Sequence, residues 1–266
     1  MRTRSQDKYN VNLNLDVLFI IMNLIPTRRD LLAFMKTSKT NYRIGIPQLL
    51  GFPIVIKCED SLTPFEAPEY FDNNAKSFYQ YMISNQSRFI YIKDLYICTR
   101  HTPKIPPFVQ HLLELVFQHS KKLSRFSFIP PHNSDIYHYQ PVLPHQSSFD
   151  HLRHLNLWYA DYDTMEMLRG MCAPLKSLSL SLSADLLEWD YHIDIDDDTI
   201  PNFDKNPLLY LANFSSTLEL LELSDFIFPF TSSLKFERLR SLHLSNCVVP
   251  ISKTMVETFP NVSKFR

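Results

Sequence analysis

One pattern of six residues recurs along this chain and limits the folds available to it more than any other feature. Segments of the form L-x-x-L-x-L, in which x is any residue, follow one another at steps of 21 to 43 residues. The clean copies begin at Leu152, Leu175, Leu218 and Leu239, looser copies begin at Ile92 and Leu123, and a last, incomplete copy begins at Val262. A self-similar period of this size is typical of stacked structural repeats.

The alternation inside each copy predicts a β-strand with two unlike faces. Neighbouring side chains of a strand point to opposite sides, so the leucines are expected in a core and the residues between them on an open, concave face. The residues expected on that face are Asp94, Tyr96, Cys98, Arg125, Ser127, His154, Asn156, Trp158, Ser177, Ser179, Ser181, Glu222, Ser224, His243 and Ser245. The candidate contacts to a bound target are Tyr96, Arg125, His154, Asn156, Trp158, Glu222 and His243. Trp158, beside Tyr159, is either a binding hot spot or a strand end that packs on a neighbour.

Helices are predicted between the strands. The segment from Val109 to Phe117 has apolar residues at helical spacing, and residues 74–84 and 163–170 are two further candidates. The predicted class is therefore α/β, and a generic leucine-rich α/β domain is the alternative to stacked repeats.

The repeats resemble those of leucine-rich-repeat proteins over about residues 52–266. The resemblance implies a solenoid over residues 51–266, with parallel strands on the concave face and helices or loops on the convex face. The pattern stops within a repeat at Phe265-Arg266. Three explanations stay open for this stop: an end that pairs with a second copy, a truncated gene product, or a frayed terminus.

The N-terminal segment from Leu13 to Arg43 has a different character. It is rich in large apolar residues, and Pro26 predicts two or three short helices because proline cannot lie inside a helix without breaking it. Asn14 and Asp16 are candidate caps or first-turn acids of the first helix, and Asp30 of the next. A unit this short cannot bury all of its apolar side chains, so part of this surface is expected to need a partner.

This segment resembles an F-box. The matching residues are Leu13, Asp16, Val17 and Leu18, then Ile21, Met22 and Ile25, then Asp30, Leu31, Leu32 and Phe34, and last Thr37, Ser38, Lys39 and Tyr42. Asn14 and Asn41 depart from the family pattern. The resemblance implies an F-box-like helical unit over residues 10–50 that docks on a Skp-type adaptor and, through it, on a cullin scaffold. The implied adaptor contacts are Leu13, Val17, Leu18, Ile21, Met22, Ile25, Leu31 and Leu32. The alternative is a helical cap on the first repeat.

Composition narrows the choice of partners. The chain has 266 residues and a formal net charge of -1, which does not support nucleic-acid binding. Its longest apolar run, Val17 to Met22, is too short to span a bilayer, and no export signal is recognisable. The four cysteines are scattered and form no C-x-x-C pair, which favours a reducing compartment, the cytoplasm or nucleus. Three glycines cannot build a phosphate-binding loop.

Metal and cofactor sites are not expected. Asp194, Asp196 and Asp198 begin a D-x-D-x-D run, but Thr199 and Lys205 stand where a calcium loop needs Gly and Glu. A solvated insertion is therefore predicted there. Five histidines cluster in a proline-rich stretch, which predicts a long loop rather than a zinc site. They are His132, His138, His145, His151 and His154.

The sequence therefore predicts a non-catalytic protein: the substrate-recognition subunit of a cullin-based ubiquitin ligase, with repeats that bind a target protein. No G-x-S-x-G elbow is present. Two alternatives stay open. The first is a leucine-rich-repeat interaction scaffold without a ubiquitin role, and the second is a hydrolase in an irregular α/β fold, which converging Ser, His and Asp side chains would favour.

Overall fold

The computed structural model describes residues 14–59, 73–101, 105–130, 149–160, 162–182, 207–226, 234–247 and 253–266. The chain divides into two compact units, Met1–Phe52 and Pro53–Arg266. The first is helical, and the second is an α/β unit with one parallel sheet, which agrees with the predicted α/β class.

The first unit contains three helices, α1 (Leu15–Asn23), α2 (Arg28–Met35) and α3 (Lys39–Gly51). Each begins with a side-chain cap, in which an oxygen of the residue before the helix accepts a hydrogen bond from a backbone N–H of the first turn. These caps are Asn14, Thr27 and Ser38. Asp30 lies in the first turn of α2 and accepts a hydrogen bond from the Thr27 hydroxyl at 2.7 Å. Asp30 is therefore a first-turn acid and not the cap, because the helix begins at Arg28 and its cap is Thr27.

The core of this unit is small. It contains Met22, Leu31 and Met35, all at most 1% exposed, and partly buried residues pack against them: Ile25, Phe34, Ile44, Ile46, Leu49 and Phe52. Gly45 lets α3 approach Met35 closely, since a Cβ at this position would lie 2.5 Å from the Met35 Cγ. Asn41, one of the two departures from the F-box pattern, is 8% exposed, and its side chain donates to the Thr37 hydroxyl.

The second unit contains one sheet of eight parallel strands, and their order in space is their order in the chain. The strands are β1 (Ile54–Glu59), β2 (Asp94–His101), β3 (Arg125–Ile129), β4 (His154–Ala160), β5 (Ser177–Leu182), β6 (Leu220–Ser224), β7 (Ser241–Ser245) and β8 (Lys264–Phe265). Strands β2 to β8 each begin two residues after the start of one predicted repeat. The first strand was missed by the sequence pattern.

The register aligns equivalent positions of neighbouring repeats. The fourth residues of successive repeats pair across the sheet, as do the fifth and sixth; for example, Leu155 pairs with Leu178 and Leu157 with Leu180. The fourth and sixth residues are buried from β2 to β6, and their side chains form the core. Leu244 of β7 is half-buried. The residues between them lie on the opposite, open face, as the alternation predicts.

Two backbone features recur where these strands begin. The carbonyl of the second residue of a repeat accepts hydrogen bonds from two successive N–H groups of the next repeat, and this happens at six consecutive junctions, from Lys93 to Arg240. In addition, a buried phenylalanine lies three residues before the repeat, and its carbonyl accepts a hydrogen bond from the N–H of the first residue of that repeat. This second feature holds at Phe89, Phe149, Phe236 and Phe259. Each of these phenylalanines stands three residues before an Ile, Leu or Val, so the sequence contains a signal that the strand pattern does not include.

Helices lie between the strands. They are α4 (Asn73–Ile83), α5 (Pro107–His119), α6 (Tyr162–Gly170) and α7 (Lys253–Thr258), together with two 3₁₀ helices, Gln86–Tyr91 and Pro207–Phe214. The three helices predicted between strands correspond to α4, α5 and α6. The predicted apolar face of α5 is buried, and its Phe117 packs edge-on against the core residue Phe126 of β3, with ring centroids 4.9 Å apart. This helix therefore covers the apolar face of the sheet.

Candidate functional site

Polar side chains form two parallel columns on the open face of the sheet. The column of fifth positions consists of Tyr96, Ser127, Asn156, Ser179, Glu222 and His243, each paired in register with the next. The column of third positions consists of Asp94, Arg125, His154, Ser177, Leu220, Ser241 and Lys264. Six of the seven candidate target contacts belong to these columns. Because neighbouring parallel strands lie about 4.8 Å apart, each column is a closely spaced row of side chains.

A cavity of about 340 Å³ lies across these columns. Its lining comes from six adjacent strands, β1 to β6, and includes five of the seven predicted contacts: Tyr96, Arg125, His154, Asn156 and Glu222. Small serine side chains, Ser127, Ser177 and Ser179, line it together with these larger residues and leave the space between them. Pro53 and Ile54 also line it, and both were missed with β1. The alternation of Ile54, Ile56 and Cys58 was the available signal for that strand.

The other two predicted contacts lie outside the cavity lining. Trp158 is 36% exposed on β4, beyond Leu157, where the register with β5 shifts. Its ring contacts that of Tyr159 edge-on, with centroids 6.4 Å apart. His243 lies one strand beyond the edge of the cavity, on β7.

Charged groups of both signs surround the cavity. The Arg125 Nε lies 3.8 Å from the Asp94 Oδ2, which is a loose pair, and the Arg125 side chain is 66% exposed. The pKa of His154 is lowered from its ordinary value of 6.5, first by burial and next by the positive charge of Arg125, so this imidazole is neutral at pH 7. Burial, followed by the charge of Cys98, raises the pKa of the Tyr96 hydroxyl, which therefore stays protonated.

Two polar atoms at the centre of the cavity have no hydrogen-bond partner among the described residues. They are the Ser127 Oγ and the Asn156 Oδ1, on paired positions of β3 and β4, and each has less than 1 Å² of exposed surface. An unpaired polar atom at such a position favours a ligand that offers a hydrogen bond, because desolvation without a partner costs about 1–3 kcal/mol. Both residues line the cavity, and both atoms are buried.

A chain of three polar side chains joins β6 and β7. The Glu222 Oε1 lies 3.0 Å from the His243 Nδ1, and the His243 Nε2 lies 3.1 Å from the Ser241 Oγ. Acid, imidazole and hydroxyl follow one another as in a serine nucleophile with its base. The backbone N–H of Ser241 donates to the Glu219 carbonyl at 3.1 Å, so it is not free to stabilise an oxyanion.

The opposite edge of the sheet, where the strands end, has a second recurring feature. Tyr159, Asp225 and Asn246 each lie seven residues after the start of their repeat and have left-handed backbone, with φ of 55°, 65° and 52°. The Asn246 amide donates to the Asp225 Oδ1 at 2.6 Å, and the Ser181 hydroxyl donates to the Asp225 Oδ2 at 3.2 Å. These bonds connect three strand ends, and Asp225 is committed to them.

In the first unit, the structure separates the predicted adaptor contacts into exposed and buried residues. Val17 and Leu32 are exposed at 41% and 37%, Ile21 and Ile25 are half-buried, and Leu13 lies outside the described residues. Leu18, Met22 and Leu31 are 8%, 1% and 0% exposed, so their side chains lie where a partner does not reach them. Apolar residues that the resemblance did not single out are more exposed; they are Leu15, Phe19, Ile20 and Leu24. Leu24 is 76% exposed and Ile20 is 57% exposed.

In the part of the chain that the structure describes, no three His, Cys, Asp or Glu side chains come together as metal ligands, and no helix has both the length and the apolarity to cross a bilayer. The D-x-D-x-D run at 194–198 and His132, His138 and His145 lie outside the described residues. His151 and His154 are described, and both are exposed. No protein-family model matches this chain. No curated protein matches it in sequence either.

Proposed function

We propose that this protein is the substrate-recognition subunit of a cullin-based ubiquitin ligase. The observation that carries the proposal is the pairing of two unlike compact units in one chain. One is a helical unit with an exposed apolar face, and the other is a parallel sheet with a cavity lined by polar and apolar side chains. One unit would dock on the Skp-type adaptor, and the other would hold the target.

The exposed face of α1 supports docking. Val17, Ile20 and Leu24 lie at i, i+3 and i+7, so they form one stripe along the helix. The buried residues Leu18 and Met22 lie on the other side, where they hold the unit together. A helix with apolar residues on both sides is usually buried on both sides, so the exposed stripe favours a partner. Together with the F-box resemblance, this stripe identifies the surface that we assign to the adaptor.

The recurring geometry of the second unit supports a leucine-rich-repeat solenoid. Seven strands follow the repeat pattern in sequential order, and the carbonyl bonding at their starts recurs at six junctions. Leucine-rich repeats have Asn or Cys at the ninth position, and Cys247 stands there in the repeat that begins at Leu239. Its Sγ lies 3.3 Å from the carbonyl of Leu223 on the preceding strand. Solenoids of this kind bind partners on their open sheet face.

The mechanism would then depend on proximity. The helical unit joins the ligase core through the adaptor, and the sheet face binds the target, so a target lysine stays near the charged ubiquitin carrier. Tethering raises the effective concentration of that lysine to about the millimolar range for a short linkage. The protein itself would form and break no covalent bond, and it would act in the cytoplasm or nucleus.

The decisive experiment is a pull-down of purified Skp-type adaptor with the wild-type protein and with Ile20→Asp/Leu24→Asp. Both side chains are exposed, so the double variant should fold normally and lose binding, because each carboxylate would be desolvated in the interface. The matched control is Leu209→Asp/Val256→Asp, which changes two exposed apolar residues of the second unit, 49% and 70% exposed. Binding by the wild type and by this control, but not by the first variant, supports the proposal. A folded wild type that does not bind would leave a plain interaction scaffold with a helical cap.

The arrangement of Glu222, His243 and Ser241 favours a second candidate function, hydrolysis of an activated ester. The Ser241 Oγ would bond to the acyl carbon while the ester C–O bond breaks, and its proton would pass through the His243 Nε2 to the leaving oxygen. Water would then release the acyl group. We rank this function second because the Ser241 N–H is committed to the sheet. A fluorophosphonate probe tests it: labelling of the wild type but not of Ser241→Ala supports a nucleophilic serine, and no labelling refutes it.

A further inference from the structure

The edge of the sheet at which the strands begin is rich in Lys and Arg, although the net charge of the whole chain is -1. The second positions of the repeats are stacked there by the recurring carbonyl bonds; for example, the Arg153 carbonyl accepts from the N–H groups of Lys176 and Ser177 at 2.8 and 3.0 Å. The third positions are aligned by the strand register. We call these fourteen residues of β2 to β8 the basic edge: Lys93, Asp94, Ser124, Arg125, Arg153, His154, Lys176, Ser177, Glu219, Leu220, Arg240, Ser241, Ser263 and Lys264.

The basic edge contains six Lys and Arg residues and two acidic residues, a net charge of +4 in a chain whose net charge is -1. Five of the six basic residues are exposed, and Arg153 is half-buried. Lys176 and Glu219 form an exposed pair at 3.0 Å, and Asp94 lies loosely beside Arg125. Exposed pairs of this kind are weak and exchange readily, so they leave both cations able to bind another anion.

The cavity opens beside this edge. Asp94, Arg125, His154 and Ser177 belong to both. The charges of Arg125, Lys176 and Arg153 all act on the imidazole of His154. These three positive charges lower the pKa of that imidazole, whereas the negative charge of Asp94 raises it. Three of the six basic residues of the edge therefore lie near His154, at the border of the cavity.

We propose that the basic edge and the adjoining cavity bind an acidic peptide segment of a partner protein. The segment crosses the strands along the edge, its carboxylates bind the basic residues, and one of its side chains enters the cavity. Ser127 and Asn156 line that cavity, and the Ser127 Oγ and Asn156 Oδ1 have no hydrogen-bond partner among the described residues. This inference deepens the proposed function. It rests on that function in one respect: the peptide would belong to the target protein.

The dimensions of the edge set the length of the segment. From Lys93 before β2 to Arg240 before β7 there are five strand spacings of about 4.8 Å, which is about 24 Å. An extended peptide rises about 3.3 Å per residue, so about seven residues span this distance. Two acidic side chains interrupt the edge, Asp94 and Glu219. They would repel a continuous phosphate backbone, whereas a peptide can place uncharged residues opposite them, and for this reason a peptide is favoured over nucleic acid.

Fluorescence anisotropy with a labelled nonapeptide of alternating Glu and Ser tests the proposal on the full chain. Binding should weaken as salt is raised from 50 to 300 mM, since the contacts are exposed charges. The variant Arg125→Glu/Lys176→Glu reverses two exposed charges at the mouth of the cavity and should bind about tenfold more weakly. The control variant Lys76→Glu/Arg169→Glu makes the same charge change on helices α4 and α6 and should bind like the wild type.

Three further results would overturn the proposal. They are binding of a Lys-Ser nonapeptide as tight as that of the Glu-Ser peptide, equal weakening in the control variant, and tighter binding of a single-stranded nonanucleotide than of the acidic peptide. The last would assign the edge to nucleic acid. The peptide assay needs no adaptor, so its failure is independent of the adaptor pull-down. If only the pull-down failed, the edge would still bind acidic peptides in a protein with another role.

Discussion

Met22 of helix α1 and Leu24, the residue that directly follows this helix, provide a sharp test of how the helical unit is built. Met22 is 1% exposed and is one of three fully buried residues in the small core, whereas Leu24, two residues later, is 76% exposed. Truncation of a buried methionine to alanine costs about 2–5 kcal/mol, because it removes transfer free energy and leaves a cavity. A unit of this length has a free energy of unfolding of about 3–8 kcal/mol. Met22→Ala should therefore remove much of the stability of the unit, and Leu24→Ala should change it by less than about 0.5 kcal/mol.

Native-state hydrogen exchange is the suitable assay, because it reports the amides of α1 to α3 separately from those of the sheet. The protection of the Leu31 and Met35 amides should fall by about 30-fold or more in Met22→Ala and stay near that of the wild type in Leu24→Ala. Adaptor binding should not follow stability. Leu24→Ala should bind the adaptor more weakly than the wild type although it is fully folded. Equal loss of protection in the two variants would refute the assignment of the buried and exposed faces.

Two more predictions concern the second unit. Phe236→Ala should cost about 3–5 kcal/mol, because Phe236 is fully buried and its ring packs on Phe259, so the substitution leaves a cavity. Exchange protection should fall mainly in β7 and β8, and the exposed Phe265→Ala is the control. In His154→Gln, urea unfolding at pH 7.5 and 5.5 should show a smaller loss of stability on acidification than in the wild type. The folded-state pKa of His154 lies below 6.5, so the unfolded chain takes up this proton first and stability falls as pH drops below 6.5. Equal losses in both proteins would contradict this.

The strands of the sheet could be predicted because their signal is local. Alternation over five or six residues determines which side chains of a strand share a face, and β2 to β8 follow it. The first strand has Ile, Val and Cys in place of the leucines, so it does not match the repeat pattern. The phenylalanine three residues before four of the repeats was also visible in the sequence, but its meaning depends on a hydrogen bond that only the folded chain shows.

The relay from Glu222 through His243 to Ser241 shows where sequence reasoning ends. Ser241 and His243 are two residues apart on one strand, but Glu222 comes from the strand before it, 21 residues away. Their distances depend on the register between β6 and β7, and the loop between these strands has no simple periodicity. The same applies to the cavity, whose lining combines residues of six strands.

The sequence by itself determined the α/β class, the position of seven strands, the break at Pro26 and the alternation of core and open-face residues, because each depends on periodicity or on the backbone limits of single residues. Only the tertiary structure decided which apolar residues of α1 are buried. That helix is apolar on nearly every side, so its sequence has no preferred inward face, and packing against α2 and α3 selected Leu18 and Met22 for the interior. It also decided that Lys and Arg residues far apart in the chain lie along one edge, because stacking of the strands converts sequence separations of 21 to 43 residues into spacings of about 4.8 Å.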